Sequence, residues 1–236
     1  MLINNEFVFL PIPKNASTSI LYSIIKWNIP FDFGHDGYNK WMESGAKEFK
    51  TFLHQHFLIS FYKKTFPEKK IIGIKRDASS RFISALKFMV AQCKIHNVNV
   101  KYDFENLSED EIIEIFSNIF FELNEFTFYT ANETHPHYNP VFRDITKKYI
   151  SDDANFNLIW LLNFTSQYYW GLSECDIIFD IKNLNEFESL IKNIKPNFNL
   201  IKANSAEEVI FLNVNKSEKL LHFVNDFIDY KWIPKT

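Results

Sequence analysis

An α/β fold with a mostly parallel sheet is what this 236-residue chain predicts, and three stretches carry the prediction. Phe7-Val8-Phe9-Leu10 and Ile71-Ile72-Gly73-Ile74-Lys75 are short apolar runs of the kind that form buried strands. Each gives way to a small polar turn and then to an apolar stripe at helical spacing. The stripe is Ile20, Leu21, Ile24 and Ile25 after the first, and Leu86, Met89 and Val90 after the second. A third run, Asp176 to Ile181, precedes a helical pattern near Asn185 to Ile194. Strand then helix, repeated, predicts a three-layer α/β/α arrangement. With no linker, repeat or low-complexity tract in 1–236, one domain is the economical reading.

The first strand ends at Pro11 and Pro13; Pro13 has no N–H and disfavours helix at the residue before it. Lys14-Asn15-Ala16-Ser17-Thr18-Ser19 then leads into the first helix. A strand, tight loop and helix N-terminus point unpaired N–H groups and a positive dipole end at one spot, which suits a phosphate. Lys14 adds a full charge and three hydroxyls add donors. The plain alternative is an ordinary turn capped by Ser or Thr with a solvent-facing lysine. It is not the nucleotide-kinase P-loop, because Lys14 precedes the hydroxyls and no glycine is present.

Gly34 to Tyr38 reads as a loop, and Trp41 to Phe52 as irregular chain or a short helix. Leu53 to Phe57 leads through Phe61 and Tyr62 to the basic Lys63-Lys64 and Lys69-Lys70, just before the second strand. That strand runs into Arg76-Asp77-Ala78-Ser79-Ser80-Arg81, with Asp77 or Ser79 as N-cap of the next helix. Arg76 stands where a strand ends, at the edge of an open sheet where ligands bind; a surface Arg76–Asp77 ion pair is the other reading. Ser108-Glu109-Asp110-Glu111 has the form of a capping box and opens a helix striped by Ile112, Ile115, Phe116, Ile119 and Phe120. His135 to Pro140 is a polar, aromatic loop, and Asn157 to Trp170 is ambiguous between helix and strand. Val209 to Leu212 fits a short strand, and Ser217 to Tyr230 a final helix burying Leu220, Leu221, Val224, Phe227 and Ile228.

Composition excludes more than it assigns. Charged residues at 23% and hydrophobic ones at 46% are ordinary for a globular chain. The aromatic share of 17%, carried by 26 Phe, is high and predicts a ring-filled core. A net charge of −3 gives no global reason to expect nucleic acid or an anionic membrane, so an anion site has to be a local cluster. Cys93 and Cys175 are expected as buried free thiols rather than a scaffold disulfide. No run is long and uncharged enough to span a membrane, and the sequons at Asn132 and Asn163 are by-products of an Asn-rich chain.

Taken together, the two strand-to-helix turns resemble the cofactor signature of the P-loop-like sulfotransferases. That family takes its sulfuryl group from 3′-phosphoadenosine-5′-phosphosulfate (PAPS). Its 5′-phosphosulfate loop reads roughly P-K-x-x-S-T-S, matched by Pro13, Lys14, Ser17, Thr18 and Ser19. Its 3′-phosphate motif reads roughly R-D-P-x-x-R-x-x-S, matched by Arg76, Asp77, Arg81 and Ser84, with Ala78 where proline is usual. The resemblance covers mainly the first ninety or so residues. It implies the P-loop NTPase-like fold, with Asn15, Ala16, Ser17, Thr18 and Ser19 at the 5′-phosphate, and Arg76 and Ser84 at the 3′-phosphate. Lys14 would stabilise the leaving oxygen. No residue pattern demands a metal, since no cysteine or carboxylate spacing supports a zinc site. Golgi members of the family carry an N-terminal anchor, so the reading here is a cytoplasmic enzyme or an excised lumenal domain.

Sulfuryl transfer to a hydroxyl also needs a base. In an extended Leu53 to Phe57, His54 and His56 project on one face. This segment resembles the H-x-H stretch of uronyl 2-O-sulfotransferases acting on heparan or chondroitin chains, which implies His56 as base and His54 as its neighbour. A zinc site or a structural histidine pair is the alternative. His137-Tyr138-Asn139-Pro140 faintly resembles the H-W-x-P segment of other carbohydrate sulfotransferases, with Tyr138 for tryptophan and Val141 for the usual glutamine, and implies acceptor binding or shaping of the cleft. His35-Asp36 is a further acid–base candidate at the acceptor, which loop composition explains equally well. The expectation is a PAPS-dependent carbohydrate O-sulfotransferase. A related nucleotide-type kinase and a catalytically silent nucleotide- or glycan-binding protein are the alternatives. The acceptor and oligomeric state are left open.

Overall fold

The computed structural model describes residues 6–26, 59–123, 140–152, 163–164, 166–168, 170–201 and 210–229. They group into two compact units: the first draws on 1–76 and 167–204, the second on 77–166 and 205–236.

The first unit holds a parallel sheet in the order β1-β2-β3, formed by β1 (Phe7–Phe9), β2 (Lys70–Lys75) and β3 (Ile177–Asp180). Val8 stands opposite Ile71, and Gly73 opposite Ile178. Parallel strands are covered on their faces, which is why β1 and the centre of β2 read as continuous apolar runs. Alternation along β2 splits its side chains. Ile72 and Ile74 join Phe7 and Phe9 in a core with Ile20, Leu21 and Ile24 of α1 (Ser17–Lys26) and Phe187 and Ile191 of α6 (Leu184–Lys192). On the other face, a Cβ at Gly73 would lie 2.7 Å from Leu172 and 2.8 Å from the Cys175 sulfur. Only a glycine lets that segment approach so closely. Asp176 extends the β2–β3 pairing, its N–H donating to the Ile71 carbonyl and its carboxylate accepting from the Ile71 N–H. A short helix not foreseen from the sequence, α2 (Ile59–Thr65), precedes β2; its Ile59 side chain fills the space beside Gly171, whose φ is 95°.

The second unit is helical: α3 (Ala78–Ile95), α4 (Glu109–Leu123), α5 (Pro140–Tyr149) and α7 (Glu218–Phe223), the last continuing as a π-helix over Val224–Asp229. The rings gather around Phe82, which meets Phe116, Phe164 and Phe223 edge-on at centroid distances of 5.0, 5.2 and 5.7 Å. The expected capping box is present, with Ser108 N–H and Oγ both donating to the Glu111 carboxylate, which this holds below its usual pKa. Asp77, not Ser79, caps α3, accepting from the Ser80 N–H at 2.8 Å.

Four expectations are corrected. Residues 210–212 form no strand. Leu221 is 40% exposed rather than buried: the inward stripe is Leu220, Phe223, Val224 and Ile228, and Leu221 is rotated off it by about 100°, one residue step of an α-helix. Pro140 opens α5 instead of closing a loop, as its fixed φ suits a first helical position. Cys93 and Cys175 are both free as expected, but only Cys93 is buried; Cys175 is half-buried, because it lies in the Leu172–Cys175 segment at the surface of β2 with its neighbours Glu174 and Asp176 exposed. Among the described residues no helix is long and apolar enough to cross a membrane.

Candidate functional site

The turn after β1 is where the first unit departs from ordinary backbone geometry. Lys14 and Ala16 both take left-handed dihedrals, φ 63° and 62°. For residues with a Cβ this conformation costs about 1–2 kcal/mol each, so it persists only where surrounding contacts enforce it. The enforcing contacts involve Asn15, which is fully buried between the two. Its Nδ2 donates to the Ile74 carbonyl at 2.7 Å and to Gln167 Oε1 at 3.0 Å. Its N–H closes the turn on the Ile12 carbonyl at 3.2 Å. Ala16 accepts the first bond of α1, from the Ile20 N–H, at 3.0 Å.

Arg76 follows β2 directly, and its Nη1 donates to the Lys14 carbonyl at 2.8 Å. Gln167 clasps the backbone of the same arginine, accepting from its N–H at 3.2 Å and donating to its carbonyl at 3.1 Å. The four residues close a ring: Lys14 to Arg76, Arg76 to Gln167, Gln167 to Asn15. Alternating backbone hand is an arrangement that turns successive N–H groups into an anion-binding concavity. Here it ends at the first turn of α1, where Ser17 is buried and Thr18 and Ser19 are half-buried. Ser23 fixes the helix above, donating to the Ser19 carbonyl and accepting from the Ile201 N–H, each at 2.7 Å. Lys14 itself is half-buried. A cation beside a helix N-terminus on a left-handed turn is suited chemically to a phosphate or sulfate group.

The other half of the second motif lies in the second unit. Arg81 and Ser84 are 3% and 8% exposed on the inward face of α3. Asp77 also accepts from Ser80 Oγ at 2.7 Å and has Lys216 at 3.9 Å. Ser79 is buried, and its Oγ has no hydrogen-bond partner among the described residues. The structure thus gathers Lys14 to Ser19 with Arg76 in one unit and places Ser84 in the other. His35, His54, His56 and His137 lie outside the described residues.

Gln167 was not singled out from the sequence. It sits in the stretch ambiguous between helix and strand, 91 and 152 positions from its partners. A lone glutamine carries no local signal.

A separate cavity of about 470 Å³ lies in the second unit beside Cys93, Lys94, Lys101, Tyr102, Phe104 and Glu105. Its lysines are matched, Lys94 to Glu105 and Lys101 to Asp152. Burial pushes the Cys93 thiol up to about 12, which leaves it a poor nucleophile.

Comparison of the chain with protein-family models, with curated proteins and with solved structures gives no match.

Proposed function

We propose that the chain is a PAPS-dependent O-sulfotransferase of the P-loop-like fold, acting on a carbohydrate hydroxyl. The observation that carries the reading is the left-handed turn at Lys14 and Ala16, held against its own preference at the C-terminal end of a parallel strand. Backbone strain of that kind collects at ligand-binding sites. The residues fit an anionic group: a lysine, the N-terminus of a ten-residue helix and two half-buried hydroxyl residues. PAPS supplies, when bound, an activated sulfuryl group whose transfer leaves negative charge on the bridging phosphate oxygen.

In this reading Lys14 meets that charge as it develops, while the Ala16 to Ser19 amides and hydroxyls hold the 5′-phosphate. Asn15 contributes through its inward side chain, which fixes the turn, rather than through ligand contact. Arg76 and, by the motif, Ser84 hold the 3′-phosphate. His56, with His54 beside it, takes the acceptor proton, and His35 and His137 bind the acceptor. The roles of His54, His56 and His137 rest on the resemblance alone, and that of His35 on its place beside Asp36 in the sequence.

The test is ligand-induced thermal stabilisation. A specific ligand at a hundredfold excess over its Kd adds about 2.7 kcal/mol to stability. 3′,5′-Adenosine bisphosphate is expected to raise Tm clearly more than 5′-AMP does, and more than ATP with Mg²⁺. Equal shifts from the two adenosine nucleotides would end the reading, and a preference for ATP with Mg²⁺ would move it to the kinase class.

A further inference from the structure

We infer that Gln167 is a positioning residue for the phosphate turn: its one side-chain amide sets both the exit of β2 at Arg76 and the inward pull on Asn15, and so fixes Lys14 and Ala16 in their left-handed form. This role rests on the reading above only in naming the ligand; the latch itself is geometric.

Gln167 is 2% exposed, and both ends of its amide are engaged. Oε1 accepts from two donors, Asn15 Nδ2 and the Arg76 N–H. Nε2 donates to the Arg76 carbonyl, so the amide pairs with Arg76 as a neighbouring strand residue would. The chemistry is specific to an amide. A carboxylate of the same shape would set an acceptor against the Arg76 carbonyl. A hydrocarbon would leave buried N–H and C=O groups unsatisfied. The orientation of Asn15 is fixed by the same pattern, since reversing its amide would face two acceptors with an oxygen. With Nδ2 turned toward Ile74 and Gln167, the Asn15 side chain cannot rotate outward, and the residues on either side must carry the reversal of the chain. Arg76 then reaches the Lys14 carbonyl because its own backbone is clamped. Gln167 therefore sits one bond from each half of the turn without being placed at the ligand.

The experiment compares the parent chain with Gln167→Ala and Gln167→Glu. The first readout needs no ligand: the Ala16 Cα and Cβ chemical shifts, which report backbone hand, and the Ala16 and Ser17 amide exchange rates. Gln167→Ala is expected to lose the left-handed signature and to exchange about tenfold faster or more, the scale set by one buried polar group left unpaired. The second readout is affinity for 3′,5′-adenosine bisphosphate, expected to fall about tenfold with the overall fold retained by circular dichroism. Gln167→Glu supplies a sign that general destabilisation would not give. Protonated, its carboxyl donates to the Arg76 carbonyl as the amide does; ionised, it repels it. Relative to the parent, its affinity and its Ala16 signature should be near normal at about pH 5.5 and degraded at about pH 8.5, because burial raises a carboxyl pKa. Should Gln167→Ala fail to fold, this comparison within one variant decides the matter. Unchanged Ala16 shifts and exchange in the variants would overturn the latch. A parent chain that shows the latch but binds no bisphosphate would leave it standing and remove the sulfotransferase reading instead.

Discussion

Arg76 donates a guanidinium N–H to the Lys14 carbonyl, and that bond changes what its loss should do. As a pure 3′-phosphate ligand it would, on replacement, weaken 3′,5′-adenosine bisphosphate and leave 5′-AMP alone. As a brace for the turn it should weaken both. We expect Arg76→Ala to lower 5′-AMP affinity about tenfold, the scale of one charge-assisted hydrogen bond, and bisphosphate affinity further. Nucleotide titrations check this; unchanged 5′-AMP binding would leave the brace without consequence. Lys14→Ala should act on chemistry more than on binding. A donor aimed at charge that appears only in the transition state is worth about 10²–10³ in kcat, so turnover should fall on that scale while product affinity falls less. Collapse of product affinity at unchanged kcat would make Lys14 an anchor only. The lysine, the hydroxyls and the break at Pro13 were all legible in the sequence. The positions of backbone reversal were not. Local rules favour asparagine for positive φ, yet here Asn15 is spared and its neighbours take it. The reason is tertiary: the Asn15 amide is held inward by Ile74 and Gln167.

Two elements owe their placement to single small residues. Gly73 lets the Leu172–Cys175 segment lie directly on β2. Gly73→Ala should destabilise the chain by about 1–3 kcal/mol, the usual penalty for overpacking, since Leu172 and Cys175 have to give way. Urea unfolding reads this, and an unchanged midpoint would show that the segment shifts freely. Ser217 caps α7, accepting from the Leu220 N–H at 3.0 Å while its hydroxyl donates to Glu109 of α4. Ser217→Ala should lose about 1 kcal/mol, whereas Ser217→Asp should lose more than its capping ability predicts, because a second carboxylate would face Glu109. Strands and the longer helices were legible because their apolar period is regular: all five expected positions of α4 are buried. In the last helix the stripe was read one position too wide: Leu220, Val224 and Ile228 are buried, but Leu221 stands one residue step off that line, and the passage from α7 into a π-helix after Phe223 had no signal in the sequence.

The whole molecule carries one thiol in each compact unit, Cys175 in the first and Cys93 in the second. Both are pushed up to about 12, chiefly by burial, with Asp176 and Glu174 adding to the effect at Cys175. At about pH 8 a thiol so shifted is ionised far less than the usual cysteine, so alkylation in the folded chain is slow. We expect labelling of both to be at least ~100-fold slower in the folded chain than in urea, and mass spectrometry resolves the two sites. Rapid labelling in the folded chain would contradict the burial of Cys93, or the raised pKa of the half-buried Cys175. The α/β class was written in the three strand patterns, but the division into units was not. The chain passes between them at Arg76–Asp77, at Ser166–Gln167 and at Asn204–Ser205, where no glycine or proline run marks a boundary.

A turn wound against its own chirality also sets when disorder is lost. Ala16 at φ 62° gives up native stability of about 1–2 kcal/mol relative to a glycine, but alanine leaves fewer unfolded and loosened states to lose. Ala16→Gly would relieve the first effect and forfeit the second, worth about 0.4–1 kcal/mol. The expected product is a chain that melts at the same or a slightly higher temperature yet binds its nucleotide with a more unfavourable entropy, visible by titration calorimetry. Durability and readiness would then have been separated by one methyl group.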